Sequence, residues 1–190
     1  MINAIMDFYI RSQFITLFVL GVLGLYFFII NWVFFYRLLI LNSWISKENH
    51  SLETLLMGST NVAEYSFLSN FINMGSKFFK KEIFDLANYA GTKEATKGLT
   101  LLSIIASTSP FIGLFGTVVS ILEAFGHLGR SAGIMAVIAS GVSDALVATA
   151  TGIFVAIFAY TYHQILKRKA FELSGFLRMQ SDSLLARKVD

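Results

Sequence analysis

The chain has 190 residues, of which 55% are hydrophobic and only 14% charged, with a formal net charge of +3 and a mean hydropathy of +0.66. That balance excludes a soluble globular domain of this size and places the chain in lipid. Cysteine is absent, which excludes disulfides, thiolate metal sites and cysteine nucleophiles; flanks facing anionic lipid account for the basic excess, so no nucleic-acid partner is required.

Three stretches, 12–36, 98–122 and 131–166, escape charge long enough to span hydrocarbon, the last interrupted only by Asp144. Backbone amides find no water in hydrocarbon, so such spans are helices. A transmembrane barrel would need shorter alternating segments. The expected fold is an all-α membrane protein with three transmembrane helices and long helical extensions into the cytosol.

In chain order, residues 1–11 form an external N-terminus and 12–41 the first transmembrane helix. Trp32, Tyr36, Arg37 and Trp44 mark its inner end, where aromatic rings and a snorkelling Arg meet the headgroups. Residues 42–97 form a cytosolic helical loop. Within it Tyr65, Leu68, Ile72, Phe79, Ile83, Leu86 and Ala90 recur at helical spacing. That face is expected to pack on the protein's own helices; a lipid-surface or partner-binding helix is the alternative. Gly91 reads as a helix stop and Thr92 as the N-cap of a helix leading into the second span.

The second transmembrane helix covers 98–123 and places Ser103, Ala106, Pro110, Gly113, Thr117, Ser120 and Ala124 on one face. Pro110 removes one amide donor and frees the carbonyl of Ala106, which predicts a kink. An external turn follows at 124–131. The third transmembrane helix, 132–166, repeats the small-residue design with Gly141, Ala145, Ala148, Thr149, Gly152, Ala156 and Ala159. Such faces let helices approach closely in lipid. A cytosolic C-terminal helix occupies 167–190.

Of 15 Lys and Arg, seven lie from Arg37 to Lys97 and six from Lys167 onward, leaving Arg11 and Arg130 opposite. Positive residues stay inside, which predicts an external N-terminus and a cytosolic C-terminus.

Asp144 is read as the chain's one deeply buried charge. A carboxyl at the centre of a spanning helix costs about 2.5–3.5 kcal/mol on insertion scales, so such residues face an interior or a water path and mark function. A proton or ion relay is expected, with a structural hydrogen-bonding acid as the alternative. Folding the hairpin about residue 130 brings Thr117 level with Asp144 in one polar layer. Thr149 lies about 7.5 Å deeper and about 140° around the helix, whereas Thr151 is within about 20° of Asp144. Geometry alone therefore favours Thr151, and each threonine can also bond to its own helix carbonyls. His127 and His163 lie near opposite ends of the hairpin, so no metal site is expected. Ser143 has no histidine at its depth to activate it, and no phosphate-binding loop is present. No enzymatic activity is expected.

The runs Ser-Pro-Phe-Ile-Gly-Leu-Phe-Gly-Thr-Val at 109–118 and Gly-Val-Ser-Asp-Ala-Leu-Val-Ala-Thr-Ala-Thr-Gly at 141–152 resemble the TolQ, ExbB and MotA group of proton-channel motor subunits. The resemblance implies a homo-oligomer, a pentamer, in a bacterial inner membrane, whose second and third helices line a pore occupied by a single-span partner of the TolR or ExbD kind. It implies a TolA- or TonB-like protein as the one energised, and protons in place of any cofactor. The family's pore acid matches Asp144, where most relatives carry Glu; its pore threonines match Thr149 and Thr117, which sets Thr149 above Thr151. The Asp-Phe-Tyr-Ile-Arg-Ser start at 7–12 looks more like TolQ, in a Tol-Pal-type envelope system, than like ExbB in TonB-dependent uptake. A non-conducting membrane scaffold is the rival from another class.

Overall fold

A computed structural model describes residues 14–58, 62–74, 81–126 and 134–186. The expected external start at 1–11 lies outside the described residues, as do Phe79 and, in the turn at 124–131, His127 and all that follows it. The described chain contains helices only: α1 (Phe14–Leu56), α2 (Phe67–Met74), α3 (Lys81–Ala95), α4 (Leu99–Gly126) and α5 (Ile134–Ala186). Helices α1, α4 and α5 are each long and apolar enough to cross a membrane. Only 22%, 28% and 28% of their most apolar windows are buried within the chain, so most of each apolar surface faces outward. Phe111, Leu114, Phe115 and Leu122 of α4 are among the exposed side chains, as expected of segments solvated by lipid or by further protein.

The chain forms two compact units. The first comprises residues up to Trp32 together with Leu101–Tyr162. Its interior is built from small residues on α4 and α5 and from Val19, Leu23 and Ile30 of α1. Phe27 of α1 meets Phe158 of α5 edge-on at a centroid distance of 5.6 Å. The Tyr162 hydroxyl donates to Asn31 Oδ1 at 3.0 Å, and a buried hydrogen bond of 2.8 Å joins Thr16 to Ser120. Helix α4 runs unbroken through Pro110.

The second unit comprises Val33–Thr100 and the chain from His163 onward. Its core gathers Leu68, Phe84, Ala87 and Leu177, so the loop helices pack on α5. The buried side of α3 is Phe84, Ala87, Gly91 and Ala95, whereas Leu86 is exposed. The expected stripe was therefore helical but turned. Gly91 does not end a helix either: it lies inside α3, and a methyl group there would strike the side chain of Leu177. The break falls at Gly98, whose φ of +86° is the left-handed conformation that glycine adopts without steric cost. Helix α4 begins just after it.

Two charged residues of this unit are more enclosed than the sequence suggests. Arg37 is 8% exposed and does not snorkel. Its Nη2 donates to the carbonyls of Glu94 at 2.6 Å and Ala95 at 3.0 Å, placing a cation at the negative C-terminal end of α3.

Glu48 is 0% exposed, so Asp144 is not the one deeply buried charge. Its carboxylate accepts from Ser66 Oγ at 2.8 Å, the Phe67 amide at 2.8 Å, Gln180 Nε2 at 3.0 Å and Trp44 Nε1 at 3.1 Å. It thereby caps α2 from outside. Glu48→Ala is expected to strand these donors, each costing about 1–3 kcal/mol when buried without a partner. Thermal unfolding followed by tryptophan emission measures the loss; an unchanged midpoint would show the network contributes nothing.

Candidate functional site

The site lies within the first unit, where α4 and α5 touch through nearly bare backbone. Gly113 and Gly152 face each other. A methyl group on Gly152 would lie 2.6 Å from the carbonyl oxygen of Ser109 and 2.9 Å from Gly113 Cα. One on Gly113 would lie 2.8 Å from the carbonyl oxygen of Ala148. Above them Gly141 packs against Ala124. The buried stripe of α5 runs through Ala145, Ala148, Gly152 and Ala159, and that of α4 through Ser109, Gly113, Gly116, Ser120 and Ala124. On α5 these are residues expected to face inward. On α4 the stripe is rotated slightly: Ser103 is exposed, Pro110 half-buried, and Ser109 and Gly116 fill the contact.

This close approach brings two threonines together. Thr117 Oγ1 and Thr149 Oγ1 are hydrogen-bonded, and either can donate. The Thr117 hydroxyl also lies 3.3 Å from the Ala145 carbonyl and 3.2 Å from its own Gly113 carbonyl, and Thr149 lies 3.4 Å from the latter. Each hydroxyl carries one proton. If Thr117 donates to Thr149, Thr149 donates to Gly113; if Thr149 donates to Thr117, Thr117 turns its proton to Ala145 or Gly113. Both arrangements leave each hydroxyl satisfied, so the pair can reverse direction without breaking apart.

Asp144 lies on the other side of the packed stripe. At about 100° per residue, Ala145, Ala148 and Gly152 fall between about 40° and 100° from Asp144, and Thr149 at about 140°. The carboxyl is half-buried and makes no hydrogen bond or ion pair to the described residues. The expected polar layer differs accordingly: Thr117 contacts the carbonyl of Ala145, next to Asp144, but its hydroxyl partner is Thr149. Thr151 shares the Asp144 side and donates to Val147 of its own helix at 2.8 Å. Thr149, not Thr151, reaches across to α4, where its hydroxyl meets that of Thr117.

Residues 59–179 match the family described as the MotA/TolQ/ExbB proton channel family. A protein named biopolymer transport protein ExbB-like 1, from Helicobacter pylori strain J99, is 41% identical over 189 residues, covering 99% of this chain and 100% of the relative. The chain belongs to the MotA/TolQ/ExbB family. Further relatives named biopolymer transport protein ExbB match over shorter stretches. The one from Neisseria gonorrhoeae is 47% identical over 72 residues, covering 37% of this chain and 33% of the relative. The one from Xanthomonas campestris is 44% identical over 98 residues, covering 47% and 38%.

In this family member, two polar links of the first helix escaped the sequence reading: Thr16 with Ser120, and Asn31 with Tyr162. The signal was available in part. A carboxamide such as Asn31 inside a charge-free run is costly in lipid unless it bonds across helices.

Proposed function

We propose that this chain is a subunit of a proton-motive-force-driven motor in a bacterial inner membrane, with its N-terminus outside and its C-terminus in the cytosol. In this reading it forms a homo-oligomeric ring, a pentamer, around a single-span partner of the TolR or ExbD kind. Asp144 takes up and releases the proton, and Thr117 and Thr149 order the hydrogen bonds between the two helices on the far side of the packed stripe. Protons are the transported species; no cofactor and no enzymatic step is invoked. Work passes to a TonB- or TolA-like protein that reaches the outer membrane.

The observation that carries this reading is the hydroxyl pair of Thr117 on α4 and Thr149 on α5 beside a glycine contact, with Asp144 on the same α5. A carboxyl within a spanning helix is costly, which favours a proton-exchanging role for Asp144 over a chain that only holds partners together. Relatives named ExbB and ExbB-like support an ExbB-type role in TonB-dependent uptake. The start at 7–12 favours the second reading, a TolQ-type subunit of a Tol-Pal system.

The test is proton flux into vesicles holding the chain with its single-span partner. Thr117→Val keeps the shape of the side chain and removes its hydroxyl. Losing about 1 kcal/mol of hydrogen bonding lowers the rate about five-fold if the pair acts in the transfer. An intact complex that passes no protons under any gradient would support the scaffold instead.

A further inference from the structure

The second unit carries a cleft of about 500 Å³, a volume ordinary for a small-ligand site, that the motor reading does not use. We propose that it holds one anionic phospholipid of the cytosolic leaflet, the leaflet following from the cytosolic placement of 42–97 proposed above.

The cleft has a polarity gradient along α1. Leu39 and Ile40 line one end, at the residues where the first span leaves the hydrocarbon; Ser43, Trp44 and Lys47 line the next two turns. From Leu39 to Lys47 is about 12 Å along the helix, more than the depth of one headgroup layer, about 5–7 Å. The cleft thus reaches from the edge of the acyl region through the headgroups. Tyr65, Phe67 and Asn70 close the opposite wall. Lys47 is the one charged residue lining it among the described residues, which sets the charge of the matching ligand: a phosphate-bearing headgroup with net negative charge. The hydroxyl of Ser43 and the amide of Asn70 supply neutral donors beside it, and Leu39 and Ile40 take the first methylenes of the tail.

The floor is built rather than incidental. The rings of Trp44 and Phe67 lie 5.2 Å apart. The Trp44 indole N–H and the Phe67 backbone N–H both donate to the same oxygen of the enclosed Glu48, at 3.1 and 2.8 Å. One buried carboxylate therefore fixes both aromatic surfaces, so the cleft keeps its shape without its ligand.

The chain's two tryptophans are Trp32 and Trp44, and Trp32 is exposed, so Trp32→Phe leaves Trp44 as the sole reporter. That protein is placed in phosphatidylcholine vesicles containing a minority of either brominated phosphatidylglycerol or brominated phosphatidylcholine, and Trp44 quenching is compared. Brominated phosphatidylglycerol should quench about five-fold more effectively, the factor one lysine contributes near an anionic headgroup. Lys47→Gln should remove that preference. Ser43→Phe, which fills the cleft from its exposed mouth, should lower quenching by both lipids; Ser43 and Lys47 are exposed, so neither change disturbs folding. Equal quenching by the two lipids, a preference that survives Lys47→Gln, or an absence of quenching because a second copy covers the cleft would each overturn the assignment. None of these outcomes depends on proton flux, so the motor reading stands or falls separately.

Discussion

Asp144→Asn is expected to abolish proton flux and the work driven by it, while the complex assembles at its normal mass. Asparagine keeps the size and planarity of the side chain and loses only the exchangeable acidic proton. Within the described chain Asp144 has no hydrogen-bond partner to forfeit, and a neutral amide is no harder to insert than the acid. Folding is therefore spared, and the variant separates chemistry from structure. Asp144→Glu, which keeps the carboxyl and lengthens the side chain by one methylene, should keep flux; a loss would show that the reach of the acid matters. Vesicle acidification together with particle mass decides the matter, and an Asn variant that conducts normally would falsify the role of Asp144.

Gly152→Val is expected to destabilise the first unit and lower proton flux together. The first added carbon already meets backbone of α4, at Ser109 and Gly113. Backbone cannot rotate away as a side chain can, so the helices must part. Overpacking of this kind costs about 1–3 kcal/mol, and Gly152→Ala should show a smaller loss of the same sign. Separation also pulls Thr149 from Thr117, so flux should fall alongside the melting temperature. Gly21 is the control: nothing lies within 4 Å of a carbon added there, and alanine is the better helix former. If Gly21→Ala and Gly152→Ala melted alike, close backbone contact would not be what holds these helices together.

Much of the fold was legible because membrane spans obey one coarse rule: an apolar run of sufficient length must be helical. That rule says nothing about which glycine does what. Gly91 and Gly98 look alike in sequence, yet one sits beneath Leu177 inside a helix and the other turns the chain at positive φ. Arg37 was misread for a related reason. A basic residue beside aromatics fits the headgroup layer, and only tertiary structure reveals that the carbonyls of Glu94 and Ala95 are within its reach. Glu48 left no trace in the sequence, since its donors come from positions as remote as Ser66 and Gln180. At the candidate site, periodicity found the small stripe of α5, but the choice of Thr149 over Thr151 came from family resemblance. Azimuth relative to Asp144 says nothing of the glycine contact, and it is beside that contact that Thr149 meets Thr117.

The glycine contact also bears on mechanics. An interface made of backbone and methyl groups has few side-chain rotamers to freeze, so forming it forgoes little conformational entropy. For the same reason it has nothing soft in it: no long side chain at Gly113, Ala148 or Gly152 can swing aside to absorb a displacement. Helices α4 and α5 can therefore separate over this stretch only by moving backbone against backbone. The side chains free to change rotamer are those of the outward faces, among them Phe111, Leu114 and Phe115.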